Sequence, residues 1–211
     1  MQNFIIAVAA AISLLGGYYL GNIASKNPKQ ELKVATLLPA PKALSNFNLI
    51  DFNNKPFSNN NLKNHWSLLF FGYTNCPDIC PTALTSMVEV NKEIININGS
   101  NSDLAQQLQT IFISVDPVRD TPEHLKQYVT FFNPNFLAAT GEDKELKALS
   151  KQLALQFKLQ SPDAQGNYLV DHSAWLVVVN PDGQFHAVIS GAHYPTPKLI
   201  AEDMITIAET Y

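Results

Sequence analysis

The run Trp66 to Gly72 is almost wholly apolar, and it passes through Tyr73-Thr-Asn-Cys-Pro-Asp-Ile-Cys-Pro81 into a segment with helical periodicity. A short continuous apolar run is the signature of a strand buried on both faces of a sheet, and such a strand needs helices to cover it. From Pro81 to Ile97 the apolar residues Leu84, Met87, Val88, Val90 and Ile94 recur at mixed three and four spacing, which predicts that covering helix. The chain is thereby committed to a strand, a cysteine loop and a helix in immediate succession.

Downstream, the same alternation continues. Thr110 to Val115 reads as a strand, and Thr121-Pro-Glu-His opens a helix with Thr121 as N-cap and Pro122 at its first position. Asp143 to Phe157 predicts another amphipathic helix, and Tyr168 to Val170, Ala174 to Val179 and Gln184 to Ile189 predict strands, the last two joined by Pro181-Asp182-Gly183. Pro197 to Tyr211 closes as a helix. Upstream, Asn46 to Phe57 carries alternating apolar residues around Asn53-Asn54, a hairpin signal. The polar run Asn96 to Asp103 is read as a break. Strands alternating with helices, followed by a late hairpin, define an α/β domain with a mixed central sheet.

Of 211 residues, 46% are apolar and 15% charged, as in an ordinary globular domain. The formal charge of -4 and the scattered lysines provide no basic footprint, so nucleic acid is set aside as a partner. Phe4 to Ala24 contains no charged residue, and its 21 positions match the roughly 20 residues that cross a bilayer. Asn22 stands where signal cleavage after Ala24 would want a small residue, which favours an uncleaved anchor over a signal peptide. Residues 1–24 are accordingly read as anchor, 25–44 with Pro28, Pro39 and Pro41 as tether, and 45–211 as the folded domain. Lys26, Lys29 and Lys33 after the span argue for a cytoplasmic tether, whereas a two-cysteine domain fits an oxidising compartment better.

Cys76 and Cys80 are the only cysteines. They have three possible uses: a disulfide, a soft-metal site, or attack on another disulfide. A purely structural staple is the weakest, because so small a loop removes little unfolded-state entropy. Three intervening residues, with Pro77 inside the loop and Pro81 after it, favour holding an ion between the sulfurs without excluding a disulfide. Cys80 at the helix entry gains from the dipole and free N–H groups there, which stabilise a thiolate.

Two thiolates suit Cu(I), and an imidazole completes a three-coordinate site. His65, His124, His186 and His193 read as surface or packing residues; His172, at the mouth of the strand from Ala174, is the candidate ligand. Asp171 beside it and Asp78 between the cysteines are candidates for tuning its electrostatics or hydrogen bonding. Arg119, the only arginine, lies on another loop, which leaves a peroxidase reading without a partner for the thiols.

The blocks Phe71-Gly-Tyr-Thr-Asn-Cys-Pro-Asp-Ile-Cys-Pro-Thr82, Ser114-Val-Asp-Pro-Val-Arg-Asp-Thr-Pro122, Val170-Asp-His-Ser173 and Asn180-Pro-Asp-Gly183 resemble the Sco/SenC family, in its order, over about residues 45–205. The resemblance implies a thioredoxin-like fold, and a membrane tether with the domain in the periplasm or the mitochondrial intermembrane space. It implies copper, as Cu(I) or Cu(II), bound by Cys76, Cys80 and His172. Asn75 departs from the His common in the family at that position. Two functions follow as expectations. One is a metallochaperone that receives copper from an upstream donor and delivers it to the binuclear copper centre of cytochrome c oxidase. The other is a thiol-disulfide reductase, recharged by a thiol reductant, that acts on the cysteines of that centre through Cys76 and Cys80, which then cycle through their own disulfide.

Overall fold

The computed structural model describes residues 31–211, of which Leu32–Tyr211 form one compact unit. The expected anchor and the start of the tether lie outside the described residues. Among the described residues no helix is long and apolar enough to cross a membrane.

The order of elements is β1 (Ala35–Ala43), β2 (Leu49–Asp51), β3 (Pro56–Phe57), β4 (Trp66–Gly72), α1 (Ile79–Asn98), α2 (Asp103–Gln107), β5 (Leu108–Ser114), α3 (Pro122–Phe132), β6 (Leu137–Thr140), α4 (Asp143–Gln152), β7 (Phe157–Leu159), β8 (Val170–His172), β9 (Trp175–Val179), β10 (Gln184–Ser190) and α5 (Pro197–Thr210). Eight strands form one sheet in the order β1-β10-β9-β4-β5-β6-β2-β3. The β4–β5 and β5–β6 pairs are parallel and the rest antiparallel, giving the expected mixed sheet.

β4 sits between β5 and β9, and its Leu68, Leu69, Phe70 and Phe71 are all essentially inaccessible. Each such side chain contributes about 1.5–3 kcal/mol by leaving water. The helix after the cysteines buries Ala83, Leu84, Met87, Val90 and Ile94 and packs against α5. Its start is earlier than the periodicity indicated, at Ile79, so that Cys80 is the second helical residue.

Three local departures from the sequence reading have identifiable causes. Ala35–Ala43, expected as tether, is an edge strand on β10. Its register shifts between Leu37 and Lys42, across the two prolines, which cannot donate to a ladder and are tolerated at an edge. The start of this strand is pinned by the buried Asp203 of α5, whose carboxylate accepts the backbone N–H groups of Lys33, Val34 and Ala35 at 2.7–3.0 Å. The helix expected to reach Phe157 stops at Gln152, because Ala154 turns left-handed (φ 56°) and Leu155 N–H bonds back to the carbonyl of Ser150. That closure lets buried Leu155 seal the helix end. Asp103–Gln107, at the end of the expected break, forms a short helix capped by Ser102.

Helix α3 begins as predicted, with the Thr121 hydroxyl accepting the N–H of His124 at 3.3 Å. The predicted strand at Tyr168 to Val170 falls two residues later, at Val170–His172, and pairs with β7 as a separate two-stranded hairpin. Its register sets Phe157 opposite His172. This hairpin, outside the main sheet, carries the candidate histidine.

Candidate metal centre

The parallel strands β4 and β5 end side by side at Gly72 and Ser114, and the functional residues cluster beyond those ends. After Gly72 the chain turns sharply, Cys76 N–H bonding to the carbonyl of Tyr73 at 3.2 Å, and enters α1. Cys80 is completely buried in the first helical turn, and Cys76 is half-buried in the loop before it. Both are free thiols.

His172 Nε2 lies 3.5 Å from Cys80 Sγ. Its Nδ1 lies 3.3 Å from the carbonyl of Ser173, so that nitrogen carries the proton and donates. The lone pair of Nε2 therefore faces the sulfurs. The ligand atoms of Cys76, Cys80 and His172 all lie within 4.8 Å of one another. A three-coordinate soft ion with bonds of about 2.0–2.3 Å needs donors roughly 3.5–4 Å apart, so two sulfurs and one imidazole nitrogen fit it in number and type and stand close to the spacing it needs. Among the described residues this is the cluster of His, Cys and acidic groups arranged to hold a metal.

The two thiols are electrostatically unequal. A hydrogen bond from Cys80 pulls the Cys76 thiol down to about 3. The same bond to Cys76, together with burial, pushes Cys80 above the usual thiol range. The half-buried Cys76 is therefore the more acidic of the two thiols, and the buried Cys80 the one that holds its proton longer.

The surroundings are apolar and aromatic. The rings of Phe70 and Tyr73 stand edge-on to the His172 imidazole, with centroids 5.8 and 5.9 Å away. Behind them, Tyr194 packs on Phe70 and donates its hydroxyl to the carbonyl of Ala174 at 3.0 Å, bracing the chain just after the histidine. Burial raises the Tyr194 phenol above its normal value, so it stays a donor.

The thiol loop is held by Asp120, which is fully buried after β5. Its carboxylate accepts the backbone N–H of Thr74 at 3.0 Å and the hydroxyls of Thr74 and Ser114 at 2.5 Å each. Asp116, Arg119 and Asp120 lie on the turn between β5 and α3, where Asp116 and Arg119 form an ion pair. They also reach the site, which no spacing signal announces. Arg119 stands 5.6 Å over the Tyr73 ring, but its hydrogen bonds go to Asp116 and to the carbonyl of Tyr168.

The two carboxylates expected to tune the site do not touch the imidazole. Asp171 is exposed and accepts from the Gln160 side chain at 2.7 Å, because neighbouring residues of a strand point to opposite faces. The Nδ1 partner is the Ser173 carbonyl instead. Asp78 is exposed at the N-cap of α1; its carbonyl accepts from Thr82, and its backbone N–H helps lower Cys76. Of the other histidines, His65 meets the carbonyl of Gln107, His186 packs on Trp66 and Tyr211, and His124 lies in the first turn of α3.

The profile of the SCO1/SenC family matches residues 36–209. The chain belongs to the SCO1/SenC family. Among curated SCO relatives, the SCO2-like protein of Rickettsia felis is 34% identical over 191 residues, covering 88% of this chain and 89% of that one. The copper-bound structure of Arabidopsis thaliana ScoI superposes with a TM-score of 0.71 at 29% identity, covering 79% of this chain and 98% of that one. Copper-bound ScoI of Bradyrhizobium japonicum gives 0.65 at 34% identity, with 77% and 98% covered. The thioredoxin-like SCO fold expected for the domain is thus the one observed.

Proposed function

We propose that this chain is a copper metallochaperone. Copper is its cargo, held by the thiolates of Cys76 and Cys80 and by Nε2 of His172. The observation that carries this reading is the convergence of those three donor atoms within 4.8 Å, with the imidazole lone pair turned to the sulfurs. The copper-bound SCO structures support the choice of metal. Cys76 and His172, both half-buried, are the donors a docked acceptor reaches first; Cys80, fully buried, releases last. Transfer by exchange of one ligand at a time follows from that graded exposure. The recipient is the binuclear copper centre of a respiratory cytochrome c oxidase, and an upstream donor loads the site. Residues 1–24 anchor the chain, and the domain works in the periplasm or in the intermembrane space.

The unequal thiols favour a second reading, reduction of the acceptor's own cysteine pair. The Cys76 thiolate attacks one sulfur of an oxidised acceptor and expels the other as thiolate. Cys80 then gives up its proton, attacks Cys76 Sγ and releases the second acceptor sulfur. The acceptor gains two electrons and Cys76–Cys80 becomes a disulfide, which a thiol reductant must reopen.

The two readings separate at His172, which copper needs and exchange does not. Titration of the reduced chain with Cu(I) against a competing chelator should show one tight site in wild type, weakened by His172→Ala and by Cys76→Ser. Unchanged stoichiometry and affinity in His172→Ala would remove the ligand assignment. Metal-free reduction of an oxidised copper-site peptide at an undiminished rate in that variant would favour the reductase.

A further inference from the structure

The β7–β8 hairpin shares no strand pairing with the main sheet, which holds the chain only from Trp175 of β9 onward, so the orientation of the hairpin that carries His172 depends on side-chain contacts. Among the side chains that cross to the hairpin, Arg119 makes contacts on both sides. Arg119 Nη1 donates to the carbonyl of Tyr168, just before β8, at 2.9 Å. Its guanidinium lies 3.6 Å over the Tyr168 ring and 5.6 Å over the Tyr73 ring of the thiol loop. Its Nε donates to Asp116, and the same carboxylate accepts the Tyr168 hydroxyl at 2.7 Å. Asp116 is completely buried and anchored by its own N–H to the Ser114 hydroxyl.

The turn that carries Arg119 also carries Asp120, which grips Thr74 two residues before Cys76. Residues 116–120 therefore hold both halves of the centre, the thiol loop through Asp120 and the histidine hairpin through Arg119 and Asp116. A planar fork is required here, because one group must meet a carboxylate, a carbonyl and two ring faces together; an ammonium satisfies one direction at a time.

We propose that Arg119 is a positioning residue for metal binding, which clamps the His172 hairpin against the cysteine loop and sets the distance from imidazole to sulfur. The proposal rests on the copper-site reading above. It predicts that Arg119 acts on the metal only through His172.

The test is a double-mutant cycle of copper affinity with Arg119→Lys and His172→Ala, with amide hydrogen exchange on the metal-free chain as a second readout. Arg119→Lys should weaken copper binding roughly tenfold in wild type and leave it unchanged in the His172→Ala background. Without copper, exchange should quicken in residues 157–172 and stay slow in β4 and β5. Tyr168→Phe, which keeps the ring and removes one hydrogen bond, should act in the same direction with smaller effect. Equal copper losses in both backgrounds, or hairpin exchange unaltered in both Arg119→Lys and Tyr168→Phe, would overturn the clamp. If His172→Ala itself leaves copper binding intact, the ligand reading fails and the exchange data alone judge the clamp.

Discussion

A Cβ built on Gly72 would stand 2.7 Å from Cys80 Sγ, and 2.9 Å from ring atoms of both Phe70 and Phe112. The last residue of β4 is a glycine because the buried sulfur occupies the space a side chain would take. Gly72→Ala should therefore push the Cys80 sulfur or its aromatic neighbours aside, lowering stability by about 1–3 kcal/mol as overpacking does. Copper affinity should fall with it. Denaturant unfolding and a copper titration of the same preparation would check this, and an unaffected metal site would show that the rings yield instead of the thiol.

The unequal thiols make a proton count. Copper loading at neutral pH should release about one proton per ion, from Cys80, because Cys76 is already ionised. Release of two protons would mean that Cys76 is a thiol in the reduced protein. Titration calorimetry in buffers of different ionisation enthalpy reads the number.

Stability of the reduced chain should depend on pH in two opposite senses. Cys76 titrates at about 3 when folded and near the ordinary thiol value of about 8.5 when unfolded, so between those limits the unfolded state binds more protons and stability rises with pH. Cys80 is raised in the folded state; above the ordinary thiol value it keeps a proton the unfolded chain has lost, and stability falls again. The urea midpoint measured across pH should lose both trends in the Cys76→Ser, Cys80→Ser double variant. Persistence of both slopes there would assign them to other groups.

Asp203→Asn should detach the first strand. The carboxylate accepts three backbone N–H groups while nearly fully buried, and hydrogen bonds to a charged group are worth about 1.5–3 kcal/mol each in such mutational comparisons. A loss of roughly 2 kcal/mol is expected, with faster amide exchange in Ala35–Ala43 and copper binding retained.

Thr110→Val should have the opposite sign. The Thr110 hydroxyl is buried in β5 with no hydrogen-bond partner, so an isosteric methyl relieves a desolvated polar group. A gain of about 1 kcal/mol in unfolding free energy is expected. A loss would indicate that a water satisfies the hydroxyl.

Local order determined a large part of this molecule. The apolar run at β4, the periodicity of α1, the cap at Thr121 and the turn at Pro181-Asp182-Gly183 each act over a few residues, and each element forms close to where its pattern predicts. The cysteine loop is equally local, and His172 was singled out among five histidines by its place at a strand mouth. Relations that depend on distant partners were not legible. The strand Ala35–Ala43 looks like tether because its prolines break any strand pattern, and only the β10 edge and Asp203 make it a strand. The roles of Asp116, Arg119 and Asp120 are hidden for the same reason. Their ion pair lies within one turn, whereas their grip on Thr74 and Tyr168 spans 46 and 49 residues. The sequence by itself determined which donors exist and which elements carry them. Only the tertiary structure decided that Cys76, Cys80 and His172 face one another, because the histidine hairpin is placed by its junction to β9 beside β4 and by side chains from elsewhere in the chain.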